Sequence, residues 1–166
     1  MHRRQALQLL GVAAAAGAQA APSDRDKLIG AYKLRSYKRR SQDGTEADVL
    51  GPEPIGRITY DRAGRMSAFL MRPERARLLS TAEMANATPE QLREVIRTLN
   101  GFTAYMGTFD VDEKTNTVTH HVKAIANPAS VGTDFPRKYR FEGNLLHLRA
   151  EGNVTLDLVW EREPDA

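Results

Sequence analysis

Apolar and polar positions alternate over short stretches of this chain, and turn residues separate the stretches. That is the period-2 pattern of half-buried strands. It predicts strands over 29–40, 55–61, 65–72, 103–111, 117–125, 134–142, 145–151 and 154–162. Strict alternation in the first strand puts Tyr32, Leu34 and Ser36 on one face. Asp61-Arg62-Ala63-Gly64, Glu142-Gly143-Asn144 and Glu151-Gly152-Asn153 read as hairpin connections, and Gln42-Asp43-Gly44 as a turn. Gly51-Pro52-Glu53-Pro54 is a loop, because two prolines remove the donors a central strand needs. One stretch has a different period. Leu92, Val95, Ile96 and Leu99 recur at helical spacing behind Thr88-Pro89-Glu90-Gln91. There Thr88 caps the first turn, Pro89 fits the first helical position and Gln91 completes a capping box. Asn100-Gly101 ends the helix. Its single apolar stripe is expected to pack on the sheet or close a barrel end.

About eight strands in hairpin succession, with one substantial helix between the third and fourth, predict an all-β fold in which an antiparallel sheet closes into a barrel. Closure removes exposed edges. Roughly eight strands enclose space for their own side chains or one small ligand.

The chain has 166 residues, enough for one domain, with 41% hydrophobic and 27% charged positions, ordinary for a globular protein. Cysteine is absent, which excludes disulfides, thiolate catalysis and cysteine-based zinc sites. The formal charge is +3, but Arg3 and Arg4 fall in an N-terminal segment of targeting character, leaving 22 basic against 21 acidic residues. A nearly neutral domain does not predict nucleic-acid binding.

Residues 1–20 have the make-up of a signal peptide: basic His2-Arg3-Arg4, a short apolar run through Ala16, and Ala18-Gln19-Ala20 at cleavage spacing. The run is too short for a membrane span, which needs about 18 apolar residues or more. Arg3-Arg4-Gln5-Ala6-Leu7 resembles a twin-arginine export motif, with Ala6 where a bulky apolar residue is usual. The expected organisation is a signal peptide over 1–20, a polar linker over 21–27 and a barrel domain over 28–163. The mature protein is expected in the periplasm or outside the cell.

The candidate chemistry gathers around a histidine pair. Tyr105, Gly107, Phe109 and Val111 share one face of their strand, and Val118, His120 and Val122 share one face of the next. His120 is therefore expected inside and His121, between Thr119 and Lys123, outside. Three readings of His120 stand side by side: a hydrogen-bonded core residue, a polar anchor for a ligand, or a general acid or base, since the unperturbed pKa is about 6.5. Adjacent histidines on opposite faces do not share one metal ion, and His2 and His147 offer no better spacing, so no metal is expected. Tyr60, Tyr105, Tyr139 and Trp160 also fall on inward faces. They are either aromatic core or, with His120, the hydrogen-bonding part of a small-molecule pocket. Met66, Met71 and Met106 are compatible with an adaptable wall. Arg57 and Arg137 are candidates to reach an open rim and attract an acidic ligand. No serine–histidine–acid order, phosphate loop or paired-carboxylate site stands out, and no cofactor is expected.

Together, several segments resemble the bacterial and fungal lipocalin-like domain proteins over roughly residues 28–162. They are Leu28-Ile29-Gly30-Ala31-Tyr32-Lys33-Leu34, Gly56-Arg57-Ile58-Thr59-Tyr60, Gly64-Arg65-Met66-Ser67-Ala68, the Tyr105 to Glu113 block, Thr119-His120-His121-Val122 and Leu158-Val159-Trp160-Glu161-Arg162. Gly30-Ala31-Tyr32 has Tyr where lipocalins carry Trp. The resemblance implies an eight-stranded barrel, with Arg162 stacked on Tyr32 at a closed end, but no single activity. The leading expectation is an exported binder of a small, mostly apolar molecule, with His120, Tyr60, Tyr105, Tyr139 and Trp160 as ligand-binding residues. The alternatives are a cofactor-free isomerase or cyclase using His120 with a tyrosine, and a structural or interaction domain whose barrel is filled by its own side chains.

Overall fold

The computed structural model describes residues 21–164. The expected signal peptide, 1–20, lies outside the described residues. The strands are β1 (Gly30–Arg40), β2 (Glu46–Asp48), β3 (Ile55–Tyr60), β4 (Arg65–Met71), β5 (Phe102–Asp112), β6 (Thr117–Ile125), β7 (Asp134–Glu142), β8 (Leu145–Ala150) and β9 (Thr155–Arg162). They pair antiparallel in the order β2-β1-β3-β4-β5-β6-β7-β8-β9, and β1 also pairs with β9. That last pairing closes an eight-stranded barrel from β1 and β3–β9, as the hairpin spacing predicts. The short β2 lies against the far end of β1 as an extra strand.

Three α-helices accompany the barrel among the described residues, α1 (Asp24–Leu28), α2 (Thr81–Met84) and α3 (Pro89–Asn100), with a short 3-10 helix at Pro128–Ser130. The segment expected to be a linker thus contains a helical turn. Ser23 caps it, Leu28 is buried, and the Tyr139 hydroxyl donates to Asp24 at 2.9 Å. α3 begins as its sequence predicts, with the Thr88–Gln91 capping box and Pro89 in the first turn. Its apolar stripe, however, does not pack away. Leu92, Ile96 and Leu99 are exposed, Ile96 by 57%. The helix sits at the barrel rim and touches β5 at its end without lying down on the sheet.

One end of the barrel is sealed. Tyr32, Tyr60, Met66, Phe109, Val118 and Leu146 are buried there in one cluster with Leu28 of α1. Tyr60 meets Phe109 edge-to-face at 4.9 Å and Tyr32 at 6.4 Å. Two irregularities modify the strict alternation. In β1 the register with β9 shifts between Leu34 and Ser36, leaving Arg35 as the extra residue of a bulge. In β6 the register with β5 shifts at Met106/Gly107, leaving Lys123 extra. Each bulge reverses the phase of the residues beyond it, so Tyr37, and not Ser36, faces the cavity in β1, and Ile125, and not Ala124, does so in β6.

Candidate functional site

Beyond the sealed end, the barrel holds a cavity of about 570 Å³. Ile58, Leu70, Leu148, Leu156, Leu158 and Trp160 contribute apolar wall. Tyr37, Tyr105, His120 and Arg137 supply polar groups, Tyr105 and Arg137 both packing on Phe135 (ring centroids 5.7 Å apart for Tyr105), and Asn100, Asn127 and Ser130 also line it.

His120 is 1% exposed and is the centre of a three-residue chain. Its Nε2 lies 2.8 Å from the Tyr60 hydroxyl and its Nδ1 3.0 Å from the Tyr105 hydroxyl. Burial pushes the His120 pKa down to about 3, and the positive charges of Arg137 and His121 act in the same direction. The ring is therefore neutral near pH 7, with one donor nitrogen and one acceptor. Tyr60 is 2% exposed, and among the described residues His120 is the one side-chain partner of its hydroxyl. A buried O–H needs an acceptor, so Tyr60 donates to Nε2. Nδ1 then carries the proton and donates to the Tyr105 oxygen. The hydroxyl proton of Tyr105 is not used by His120 and is available to the cavity. Burial raises the Tyr105 pKa to about 12, partly opposed by Arg137, so this hydroxyl keeps its proton.

His121 takes the outward side, as alternation predicts. Its Nδ1 is 2.7 Å from Asp134 Oδ1 and its Nε2 2.9 Å from Asp110 Oδ2, an outer clasp across β5, β6 and β7. Hydrogen bonds to Asp134 and Asp110 raise its pKa.

The five residues singled out in the sequence divide. His120, Tyr105 and Trp160 line the cavity. Tyr60 stands behind His120, in the core, and reaches the cavity only through the imidazole. Tyr139 is inward-facing but lies at the sealed end, where it ties β7 to Asp24 and packs against Phe141 at 5.6 Å. It is not among the residues lining the cavity, because it lies two positions further along β7 than Arg137, toward the sealed end. The methionine wall is not formed: Met66 is in the sealed core, and Met71 and Met106 project to the other face of their strands, Met106 being 57% exposed. Arg57 is on the outside, paired with Glu163 at 2.6 Å. His147 is also outside the cavity lining, with Nε2 3.3 Å from Glu142. Arg137 does reach the cavity, stacked on Phe135 with its guanidinium carbon 5.2 Å from the ring centroid.

Tyr37 and Phe135 line the cavity too and were not singled out in the sequence. Tyr37 was hidden by the β1 bulge. Phe135 was readable, since it shares the face of Arg137 and Tyr139. The Trp160 indole nitrogen is buried and has no hydrogen-bond partner. Among the described residues no cluster of three or more His, Asp or Glu side chains could hold a metal ion, and no helix is long and apolar enough to cross a membrane.

A closed antiparallel barrel with an internal cavity is the architecture of the calycin-type barrels. A family model described as a lipocalin-like domain matches residues 29–162, and the chain belongs to that family. Among solved structures it is similar to a lipocalin-like protein from Bacteroides uniformis ATCC 8492. The two are 16% identical over 82% of this chain and 98% of that one, with a TM-score of 0.43. No curated protein matches the chain.

Proposed function

We propose that the protein binds a small, mostly apolar molecule inside the barrel. The observation that carries this reading is the cavity itself. Its volume of about 570 Å³ falls within the ~300–1,000 Å³ range of small-molecule sites. Its walls are largely aliphatic and aromatic, with a few hydrogen-bonding groups, the composition such sites use for orientation.

Two alternatives are weaker. A barrel filled by its own side chains does not leave this volume. An isomerase or cyclase built on His120 needs a base whose pKa lies near the working pH. His120 is held at about 3, and both ring nitrogens are engaged by tyrosines. The imidazole supports a binding wall better than proton transfer.

Native mass spectrometry of protein purified from its own host tests the proposal. A co-purifying small molecule that is lost under denaturing conditions is expected. An unliganded spectrum, together with unchanged Trp160 fluorescence across a panel of apolar compounds, would count against it. Trp160 is the single tryptophan of the chain and lines the cavity, so it reports directly.

The reading includes export. Residues 1–20 have the composition of a signal peptide, and the protein recovered from the periplasm or medium is expected to start at Ala21. An intact Met1 in that location would contradict it. Arg3-Arg4 replaced by Lys-Lys should block a twin-arginine route and spare a general secretory one.

A further inference from the structure

We propose that the cavity's occupant is an apolar carboxylic acid, bound as its carboxylate against Arg137 and Tyr105. This rests on the reading of the cavity as a binding site.

The lining of the cavity contains no Asp, Glu or Lys, and Arg137 is its one formal charge while His120 is neutral. Arg35, Arg40, Arg57, Arg65, Arg140 and Arg149 each make an ion pair with a carboxylate. Arg137 makes none among the described residues. Its Nη1 donates to the Pro136 carbonyl at 2.9 Å, and its guanidinium carbon lies over the Phe135 ring. A guanidinium has five N–H donors in a planar fork, so several remain without a protein acceptor. A partly buried cation beside apolar walls is costly unless a counter-charge arrives. The nearest acidic side chain along β7, Asp134, is already engaged by His121 on the outer face.

Tyr105 adds a neutral donor, packed on the same Phe135 ring. Because Tyr60 occupies Nε2 of His120, the Tyr105 oxygen accepts from Nδ1–H and its own proton is free for a ligand oxygen. The His120–Tyr60 pair thus orients the Tyr105 donor. A planar fork and a hydroxyl, with no acceptor charge opposite them, match two carboxylate oxygens. They do not match an ammonium head. The rest of the cavity, with Leu148, Leu156, Leu158 and Trp160, takes the apolar body.

Matched pairs of acid and alcohol decide it. Decanoate against 1-decanol, and 2-naphthoate against 2-naphthalenemethanol, are titrated calorimetrically into the mature protein at pH 7.5. Within each shape the acid should bind about tenfold or more tighter, the margin of a charge-assisted contact. Arg137→Met should erase that margin, bringing each acid to within about twofold of the alcohol of its shape, with near-ultraviolet circular dichroism confirming the fold. The wild-type comparison needs no variant, so a misfolded Arg137→Met leaves the test intact. Alcohols binding as tightly as acids overturns the carboxylate assignment while the cavity stays a binding site. Failure of all four probes overturns both.

Discussion

Arg162 lies over the face of Tyr32, its guanidinium carbon 4.7 Å from the ring centroid, and donates through Nη1 to the Ile29 carbonyl at 2.9 Å. The same guanidinium contacts the Lys27 carbonyl and the Tyr32 hydroxyl. It therefore ties the last strand, β9, to the start of β1 and to the end of α1. Tyr32 is 1% exposed and central to the sealed end.

Truncating that ring removes packing at the end of the barrel away from the ligand cavity. Tyr32→Ala should lower stability by about 3–5 kcal/mol, the range for large aromatic truncations in cores. Affinity for a cavity probe should change little in the folded fraction. Gly30→Ala should be damaging at the same place. Its φ is +139°, and an added Cβ would fall 2.5 Å from Arg162 Nη1. Urea unfolding of both variants checks this. A Tyr32→Ala protein of normal stability that has lost probe binding would reverse the assignment of the two ends.

The architecture was legible because hairpin spacing and alternation are local signals. Turn chemistry at Asp61–Gly64 and the Thr88–Gln91 capping box each specify their own element. The inward direction of His120 followed from its neighbours Val118 and Val122. What alternation could not reveal is a bulge. One extra residue, Arg35 or Lys123, changes which side chains face inward beyond it, and nothing in the flanking pattern announces it. That is why Ser36 was expected in place of Tyr37. Depth was equally hidden. Tyr139 and Arg137 share a face of β7, and only the register of the closed barrel separates a sealed end from a cavity wall. The apolar stripe of α3 gave the helix but not its partner, since periodicity says which face is apolar and not what it meets.

The β6 bulge depends on a glycine opposite it. A Cβ on Gly107 would fall 1.9 Å from the His121 carbonyl oxygen, a backbone atom that cannot swing aside. Gly107→Ala should cost about 1–3 kcal/mol through overpacking. It should also disturb the neighbouring Tyr105, two positions along the same face, and so weaken the contact with His120. Amide exchange across β5 and β6 would show it. Wild-type protection in both strands would mean that the backbone absorbs the methyl group.

The two histidines give opposite pH dependences. His120 is held at about 3 in the folded state, below its usual 6.5. Between those values the unfolded chain binds a proton that the folded one does not. Its contribution is thus full above pH 6.5 and is lost as pH falls toward 3, at a rate of at most about 1.4 kcal/mol per pH unit. His121 is raised by Asp134 and Asp110. Its contribution is present below pH 6.5 and is lost as pH rises through the elevated value. Urea titrations from pH 4.5 to 8.5 should show both limbs, and His121→Asn should remove the alkaline one. An acid limb that is absent between pH 6.5 and 4.5 would mean that His120 protonates as readily folded as unfolded.

Tyr60 has no alternative acceptor among its described side-chain partners, so the imidazole must be the Nδ1–H form, accepting at Nε2 from Tyr60. Nitrogen-15 chemical shifts of the ring distinguish protonated from unprotonated nitrogens and should report this tautomer unchanged from pH 7.5 to about 4.5, given its depressed pKa. Tyr60→Phe then leaves Nε2 buried without a donor and should cost about 1–3 kcal/mol of stability, the penalty for an unsatisfied buried polar group. Tyr105→Phe should also unsettle His120, since Nδ1–H loses its acceptor, but it alone should remove a donor from the cavity and weaken an oxygen-bearing ligand directly. A Nε2–H ring would invert the pattern: Tyr105 would spend its proton on Nδ1, and its hydroxyl would meet a ligand only as an acceptor.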